Sequence, residues 1–170
     1  MSLIQGITEF TSQLKIESVQ FGIIGGLAVF AYGGERTTFD VDFLIHADNR
    51  LKVKEIAQKL HLKIVNENSE VIQFSGSVQI DIIFANRPVA QGMLNRLRQV
   101  GELPYPVVAP EDIIGLKIQA FVGDRSREFT DKGDILTILK NVPNLDLNKV
   151  KEYADIFNVW NEIKEIKNRS

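Results

Sequence analysis

Two aspartates on alternate residues, Asp40 and Asp42, run straight into Phe43, Leu44 and Ile45, and this constrains the chain more than any other feature. The run reads as a strand entering a hydrophobic core. On a strand, residues two apart project from the same face, so both carboxylates aim at one place. Like charges held that close repel. Keeping both ionised and partly dehydrated costs several kcal/mol by order of magnitude unless a cation sits between them. Hard oxygen ligands, in a chain without Cys, favour magnesium or manganese over zinc.

A third carboxylate belongs with this pair. In Val78-Gln79-Ile80-Asp81-Ile82-Ile83-Phe84 a single charge interrupts an otherwise apolar strand. Ile80 and Ile82 face the opposite side from Asp81, so the pattern places Asp81 on an adjacent strand, turned toward Asp40 and Asp42. Three convergent carboxylates suit a two-metal phosphoryl-transfer site, in which metals neutralise phosphates and lower the pKa of an attacking hydroxyl. Upstream, Gly25-Gly26 stands between a strand predicted over Val19–Ile24 and a helix beginning near Gly26. Paired glycines at such a junction let the backbone approach a ligand closely, and a helix start favours phosphate oxygens. A second pair, Gly33-Gly34, is read as that helix's C-cap ahead of the loop carrying Arg36.

These residues resemble the nucleotidyltransferases of the DNA polymerase beta type, whose signature is a hydrophobic residue, Gly, Gly or Ser, a spacer and then Asp-x-Asp. Ile24-Gly25-Gly26 and Asp40-Val41-Asp42-Phe43 match it, with a long spacer from Leu27 to Phe39, and Ile80-Asp81-Ile82 matches the third-carboxylate element. Within that superfamily the chain is most similar to small bacterial and archaeal proteins that include the nucleotidyltransferase toxins of abortive-infection systems. Arg36-Thr37-Thr38-Phe39-Asp40 looks like their Arg-x-Thr-x-Asp lead-in, and Glu111 to Lys117 looks like their helix after the core. Arg127 to Ile135 resembles their Arg-x-Lys-Asp-x-x-Asp segment through Asp131 and Asp134, with Thr130 where a Lys is usual and Lys132 close by. The likeness covers about Val19 to Leu139.

The resemblance implies an α/β (α+β) class and a minimal nucleotidyltransferase fold, a mixed β-sheet flanked by helices with a C-terminal helical extension. The expected division is a core over 1–109 and a helical portion over 110–170 packed on it. The implied activity moves an NMP from an NTP to a hydroxyl acceptor and releases pyrophosphate. Asp40, Asp42 and Asp81 are the expected catalytic and metal-binding residues, with Mg2+ or Mn2+ as cofactor. Gly25 and Gly26 are expected to hold the triphosphate tail, with Arg36, Thr38 and Lys117 as further phosphate or nucleotide contacts. Arg36 is the best suited of these to a bidentate grip. Acceptors compatible with the resemblance are tRNA, a protein hydroxyl or a small molecule such as an aminoglycoside, and an antitoxin-like protein is an expected partner. The competing class is a catalytically silent module that binds nucleotide or a partner protein on the same scaffold. A Rossmann-like metabolic protein ranks last, because its glycine fingerprint is missing and it leaves Asp81 unexplained.

Composition narrows the class without choosing among acceptors. A chain of 170 residues is large enough to bury a substantial interior as one domain or a core with a helical appendage. A net charge of −2 argues against a broad nucleic-acid-binding surface. The absence of Cys rules out disulfides and thiolate metal sites and fits a reducing cytoplasm. Met1 to Phe10 carries Glu9 and reads unlike a signal peptide, and no apolar run approaches a membrane span.

Along the chain, helices are predicted to about Leu14, over Asn49–Leu60, from Pro110, over Thr130–Leu139 and over Leu147–Lys167. The last has a stripe of Val150, Tyr153, Ala154, Phe157 and Trp160. Strands are predicted at Leu62–Val65, Val71–Phe74 and Val78–Phe84, the last two joined by Ser75-Gly76-Ser77. Asn86 to Val100 reads as a helix or a partly ordered segment, and Val107-Val108 as extended between prolines. Lys117, near the apolar face of its helix, either reaches inward to a phosphate or snorkels to water. His46 reads as a surface or capping residue and His61 as part of a connector.

Overall fold

Residues that alternate between apolar and polar lay one face of a sheet against helices and leave the other half open. In the computed structural model, which describes residues 3–35 and 38–169, one mixed sheet is built from β1 (Phe21–Ile24), β2 (Asp40–His46), β3 (Lys63–Glu67), β4 (Val71–Ser75) and β5 (Gln79–Ala85). The spatial order is β1-β2-β5-β4-β3; β2 and β5 run parallel and every other pair is antiparallel. The helices are α1 (Leu3–Ile16), α2 (Gly25–Ala31), α3 (Arg50–Lys59), α4 (Pro88–Leu94), α5 (Pro110–Gly123), α6 (Glu128–Asn141), α7 (Leu147–Ile156) and α8 (Trp160–Lys167). This is the α/β class, a mixed sheet with helices, that the resemblance implies. The chain divides into two compact units, one of residues 3–27 and 38–108 and the other of 28–35 and 109–169.

The first unit holds the sheet. Val41, Phe43 and Ile45 of β2, with Ile80, Ile82 and Phe84 of β5, are buried on one face. Phe10 of α1 lies 5.3 Å from the Phe43 ring and Phe21 of β1 lies 5.8 Å from it, so α1 covers that face. Each such Phe contributes about 1.5–3 kcal/mol by leaving water. Asp40 and Asp42, offset by one residue from this set, therefore occupy the opposite face. The stretch at Val107-Val108 runs along β1: Ile23 N–H donates to the Pro106 carbonyl at 2.9 Å, and Val108 N–H donates to the Ile23 carbonyl at 3.0 Å. Between Asn86 and Val100 only Pro88–Leu94 is helical, after which Arg98 bridges to Val107.

The second unit is helical. Gly115 of α5 lets Tyr153 of α7 approach so closely that a Cβ there would stand 2.7 Å from the ring, and the Tyr153 hydroxyl lies 2.5 Å from Oδ1 of the buried Asp112. Ile113, Ile118 and Phe121 of α5 are buried, as are Ile135 and Ile138 of α6 and Ile163 and Ile166 of α8.

The single closing helix expected over Leu147–Lys167 is instead broken into α7 and α8. Asn158 adopts φ +55°, its N–H donates to the Asp155 carbonyl at 3.1 Å, and Val159 N–H donates to the Ala154 carbonyl at 2.9 Å. That is a Schellman ending, usually signalled by Gly, here made by Asn. The turn also redraws the packing stripe: Val150, Tyr153 and Ala154 are buried, whereas Phe157 and Trp160 are only half-buried and Ile163 and Ile166 go inside. The same ending closes α1 at Ser18 and α3 at His61, and closes α2 at Gly33, as the Gly33-Gly34 pair predicts.

Candidate active site

The parallel pairing of β2 with β5 sets Asp42 directly beside Asp81, and Asp40, two residues earlier, projects from the same face. One oxygen from each of the three carboxylates lies within 4.8 Å of the others, and all three side chains are half-buried. No other group of three His, Asp or Glu side chains among the described residues comes together in this way. Three hard oxygen donors and no nitrogen or sulfur form a donor set for magnesium or manganese. The residues therefore fit a divalent cation.

The electrostatics agree with that fit. Burial pushes the Asp81 carboxyl above its ordinary range, a hydrogen bond from Gln73 opposes the rise, and the charge on Asp40 adds to it. A cation among the three would reverse the sign of that burden, because it favours the ionised form of each.

The neighbours hold these carboxylates in place. The Thr38 hydroxyl stands 2.7 Å from Asp40 Oδ1 and 3.0 Å from the Asp40 carbonyl oxygen, so it donates to a group of the cluster itself. Gln73, opposite Asp81 on β4, donates from Nε2 to Asp81 Oδ2 at 2.7 Å. Sequence reasoning passed over Gln73; its signal would have been a polar residue on the half-open face of the strand paired with the Asp81 strand.

Gly25 serves a spatial need. Its φ is +66°, and a Cβ on it would stand 1.8 Å from Asp42 Oδ2. Ile24 pairs with Asp42 across β1 and β2, so the turn leaving β1 passes directly over that carboxylate. Only glycine combines the left-handed backbone with the missing atom. Gly26 is buried at the start of α2.

The remaining expected site residues are placed otherwise. Arg36 lies outside the described residues. Lys117 is buried in the helical unit, its Nζ 3.0 Å from Asp131 Oδ1 and 2.7 Å from Asp134 Oδ2, and Arg127 Nε reaches the second Asp131 oxygen at 3.1 Å. The ammonium neither snorkels to water nor stands open to a phosphate; two buried carboxylates hold it. Lys132, close to Thr130 where a Lys is usual, pairs with Glu128 and Glu162. His46 caps the short turn after β2 by accepting from Asp48 N–H at 3.3 Å, and His61 is exposed. No helix among the described residues is long and apolar enough to cross a membrane.

With this geometry in hand, similarity to known proteins is informative. The family model described as a nucleotidyl transferase of unknown function (DUF2204) matches residues 3–169. Among curated proteins, no sequence matches the chain. Solved structures share the fold. An antigenic nucleotidyltransferase-like protein from Paracoccidioides brasiliensis is 17% identical with a TM-score of 0.61, over 98% of this chain and 92% of that one. The lincosamide antibiotic adenylyltransferase LnuA, lincomycin-bound, is 16% identical with a TM-score of 0.60, over 81% of this chain and 97% of its own. ANT(2")-Ia in complex with adenylyl-2"-tobramycin is 14% identical with a TM-score of 0.58, over 98% and 95%.

Proposed function

The chain belongs to this nucleotidyl transferase family, and from that premise we propose that it moves an NMP from an NTP to a hydroxyl acceptor at the Asp40, Asp42 and Asp81 cluster. The observation that carries the reading is the register of two parallel strands, which sets Asp42 beside Asp81 with Asp40 on the same face. Asp40, Asp42 and Asp81 would hold the cation, Mg2+ or Mn2+. The bound cation supplies positive charge that neutralises triphosphate oxygens and lowers the pKa of the acceptor hydroxyl.

The chain's own groups do the rest. The acceptor oxygen bonds to the α-phosphorus, the bond to the pyrophosphate oxygen breaks, and the hydroxyl proton passes to Asp81. Thr38 keeps the Asp40 carboxylate turned into the cluster. Gly25 and Gly26 present backbone to the triphosphate, and Arg36 is assigned a bidentate phosphate grip on the strength of the resemblance alone. Lys117 leaves this set, since a phosphate role would strip two buried carboxylates of their shared cation. In this reading the chemistry belongs to 1–109, and the helices of 110–170 carry no reacting group.

The acceptor is tRNA, a protein hydroxyl or a small molecule. ANT(2")-Ia is complexed with adenylyl-2"-tobramycin and LnuA with lincomycin, which makes a small hydroxylated molecule the first acceptor to try. Kinship with abortive-infection toxins and an antitoxin-like partner are part of the same proposal and rest on the resemblance at Arg36 to Asp40, Glu111 to Lys117 and Arg127 to Ile135, and a cytoplasmic setting joins it on the absence of Cys.

The test is label transfer. Purified protein with Mg2+ or Mn2+ and each labelled NTP, alone and with total cell extract, should label one acceptor class, while Asp40→Ala and Asp42→Ala should fold and transfer nothing. Equal transfer by both variants would refute the assignment. Tight nucleotide binding without pyrophosphate release would replace it with the silent-module reading.

A further inference from the structure

A row of polar side chains crosses the sheet at right angles to its strands. Asp42 on β2 stands beside Asp81 on β5, Asp81 stands opposite Gln73 on β4, and Gln73 stands opposite Asn66 on β3. The last pairing exists because β3 carries an irregularity. Lys63 faces Ser75 and Ile64 faces Phe74, so an unbroken ladder would set Val65 opposite Gln73; the register instead shifts between Ile64 and Asn66 and delivers Asn66 there. A bulge of this kind re-aims a side chain at the cost of one ladder position.

The hydrogen bonds along the row have one direction. Asn66 Nδ2 donates to Gln73 Oε1 at 3.1 Å, and Gln73 Nε2 donates to Asp81 Oδ2 at 2.7 Å. An ionised carboxylate only accepts, so Asp81 needs the NH2 end of Gln73; Asn66, by donating to the Oε1 end, keeps the amide from turning over. We propose that the β3 bulge, Asn66 and Gln73 form a positioning relay that fixes the plane of the Asp81 carboxylate for cation binding. This rests on the reading of Asp40, Asp42 and Asp81 as the metal-binding set. Gln73 and Asn66 touch neither substrate nor cation; they act through Asp81.

The test counts bound Mn2+ on the full chain by the electron-spin-resonance signal of the free ion, in the absence of nucleotide. Gln73→Met keeps the length of the side chain and removes its donor, and it should weaken Mn2+ binding about 10- to 100-fold, the loss typical of removing an outer-shell partner. Asn66 is exposed, so Asn66→Ala leaves packing alone; it should weaken binding in the same direction and by less. In an Asp81→Ala background, Gln73→Met should change Mn2+ affinity by less than about twofold, because a group that acts only through Asp81 has nothing left to act on. A purely structural Gln73 would give losses that multiply in the double variant, and that result overturns the relay. Wild-type affinity in Gln73→Met overturns it as well while leaving the metal site standing. Failure of the wild-type chain to bind Mn2+ removes the metal reading and the relay together.

Discussion

Replacing Gly25 with Ala gives the most direct measure of how tightly the turn after β1 is built around Asp42. The added Cβ would stand 1.8 Å from Asp42 Oδ2, 2.6 Å from Cγ and 3.0 Å from Cβ, at a backbone φ of +66°. Two costs arise. A side chain in the left-handed region costs roughly 1–2 kcal/mol. Forcing the carboxylate aside is overpacking, roughly 1–3 kcal/mol. Together they predict that Gly25→Ala destabilises the metal-free chain by about 2–5 kcal/mol. The two parts separate in an Asp42→Ala background, where Oδ2 and Cγ are gone and the nearest Asp42 atom left is the Cβ at 3.0 Å. There Gly25→Ala should cost only the backbone part, about 1–2 kcal/mol. Urea unfolding of the wild type, both single variants and the double variant gives the coupling energy, expected at about 1–3 kcal/mol. A coupling below about 0.5 kcal/mol would show that the carboxylate and the turn are independent and refute the argument.

Lys117→Met should destabilise the chain by about 3–5 kcal/mol in urea unfolding, because it leaves Asp131 and Asp134, with 0% and 7% of their side chains exposed, without the cation between them. A neutral result would mean that these carboxylates do not depend on Lys117. The raised pKa of Asp81 sets a pH dependence whose sign can be worked out. The folded state holds the Asp81 proton at a higher pH than the unfolded chain does, so without cation this group's contribution to stability falls as pH rises from its ordinary range through its raised value. Asp81→Asn should therefore raise the thermal midpoint of the metal-free chain at neutral pH and flatten that fall. A lower midpoint would count against burial as the dominant cause. Ser18→Gly should raise stability by about 0.5–1 kcal/mol, since a left-handed C-terminal position at φ +54° costs Ser more than Gly loses in chain entropy. Unchanged urea midpoints would show that Ser18 is not strained.

The readings that held from residues alone were those governed by local periodicity. Alternation along Asp40–Ile45 and Gln79–Phe84 sorts carboxylates from core by a period of two, so the face each side chain takes is decided before the strands meet. Gly33-Gly34 closes α2 because a helix end needs a left-handed residue and Gly supplies it cheaply. Pro110 with Glu111 and Asp112 opens α5 for an equally local reason.

The convergence of Asp81 with Asp40 and Asp42 is expected from the residues, but the strand pairing and register that produce it are not. Nothing in the chain's local pattern says that β2 and β5 pair in parallel with Asp42 beside Asp81, since register is settled by the whole buried face of both strands. The break between α7 and α8 carries no Gly signal because Asn158, like Ser18 and His61, takes the left-handed conformation itself, and the local hydrogen bonds of the helix ending hold it there. The position of Lys117 on its own helix does not name its partners, because Asp131 and Asp134 come from the next, and a buried ammonium takes the nearest carboxylates the fold provides. Gln73 and Asn66 are ordinary strand residues until the bulge in β3 sets them in line with Asp81. Which groups can do chemistry, and which face of a strand each takes, follow from side-chain type and backbone period. The register that sets Asp42 beside Asp81, and the partners taken by Lys117 and Gln73, depend on the summed burial of whole elements rather than on any one residue, and only the fold shows them.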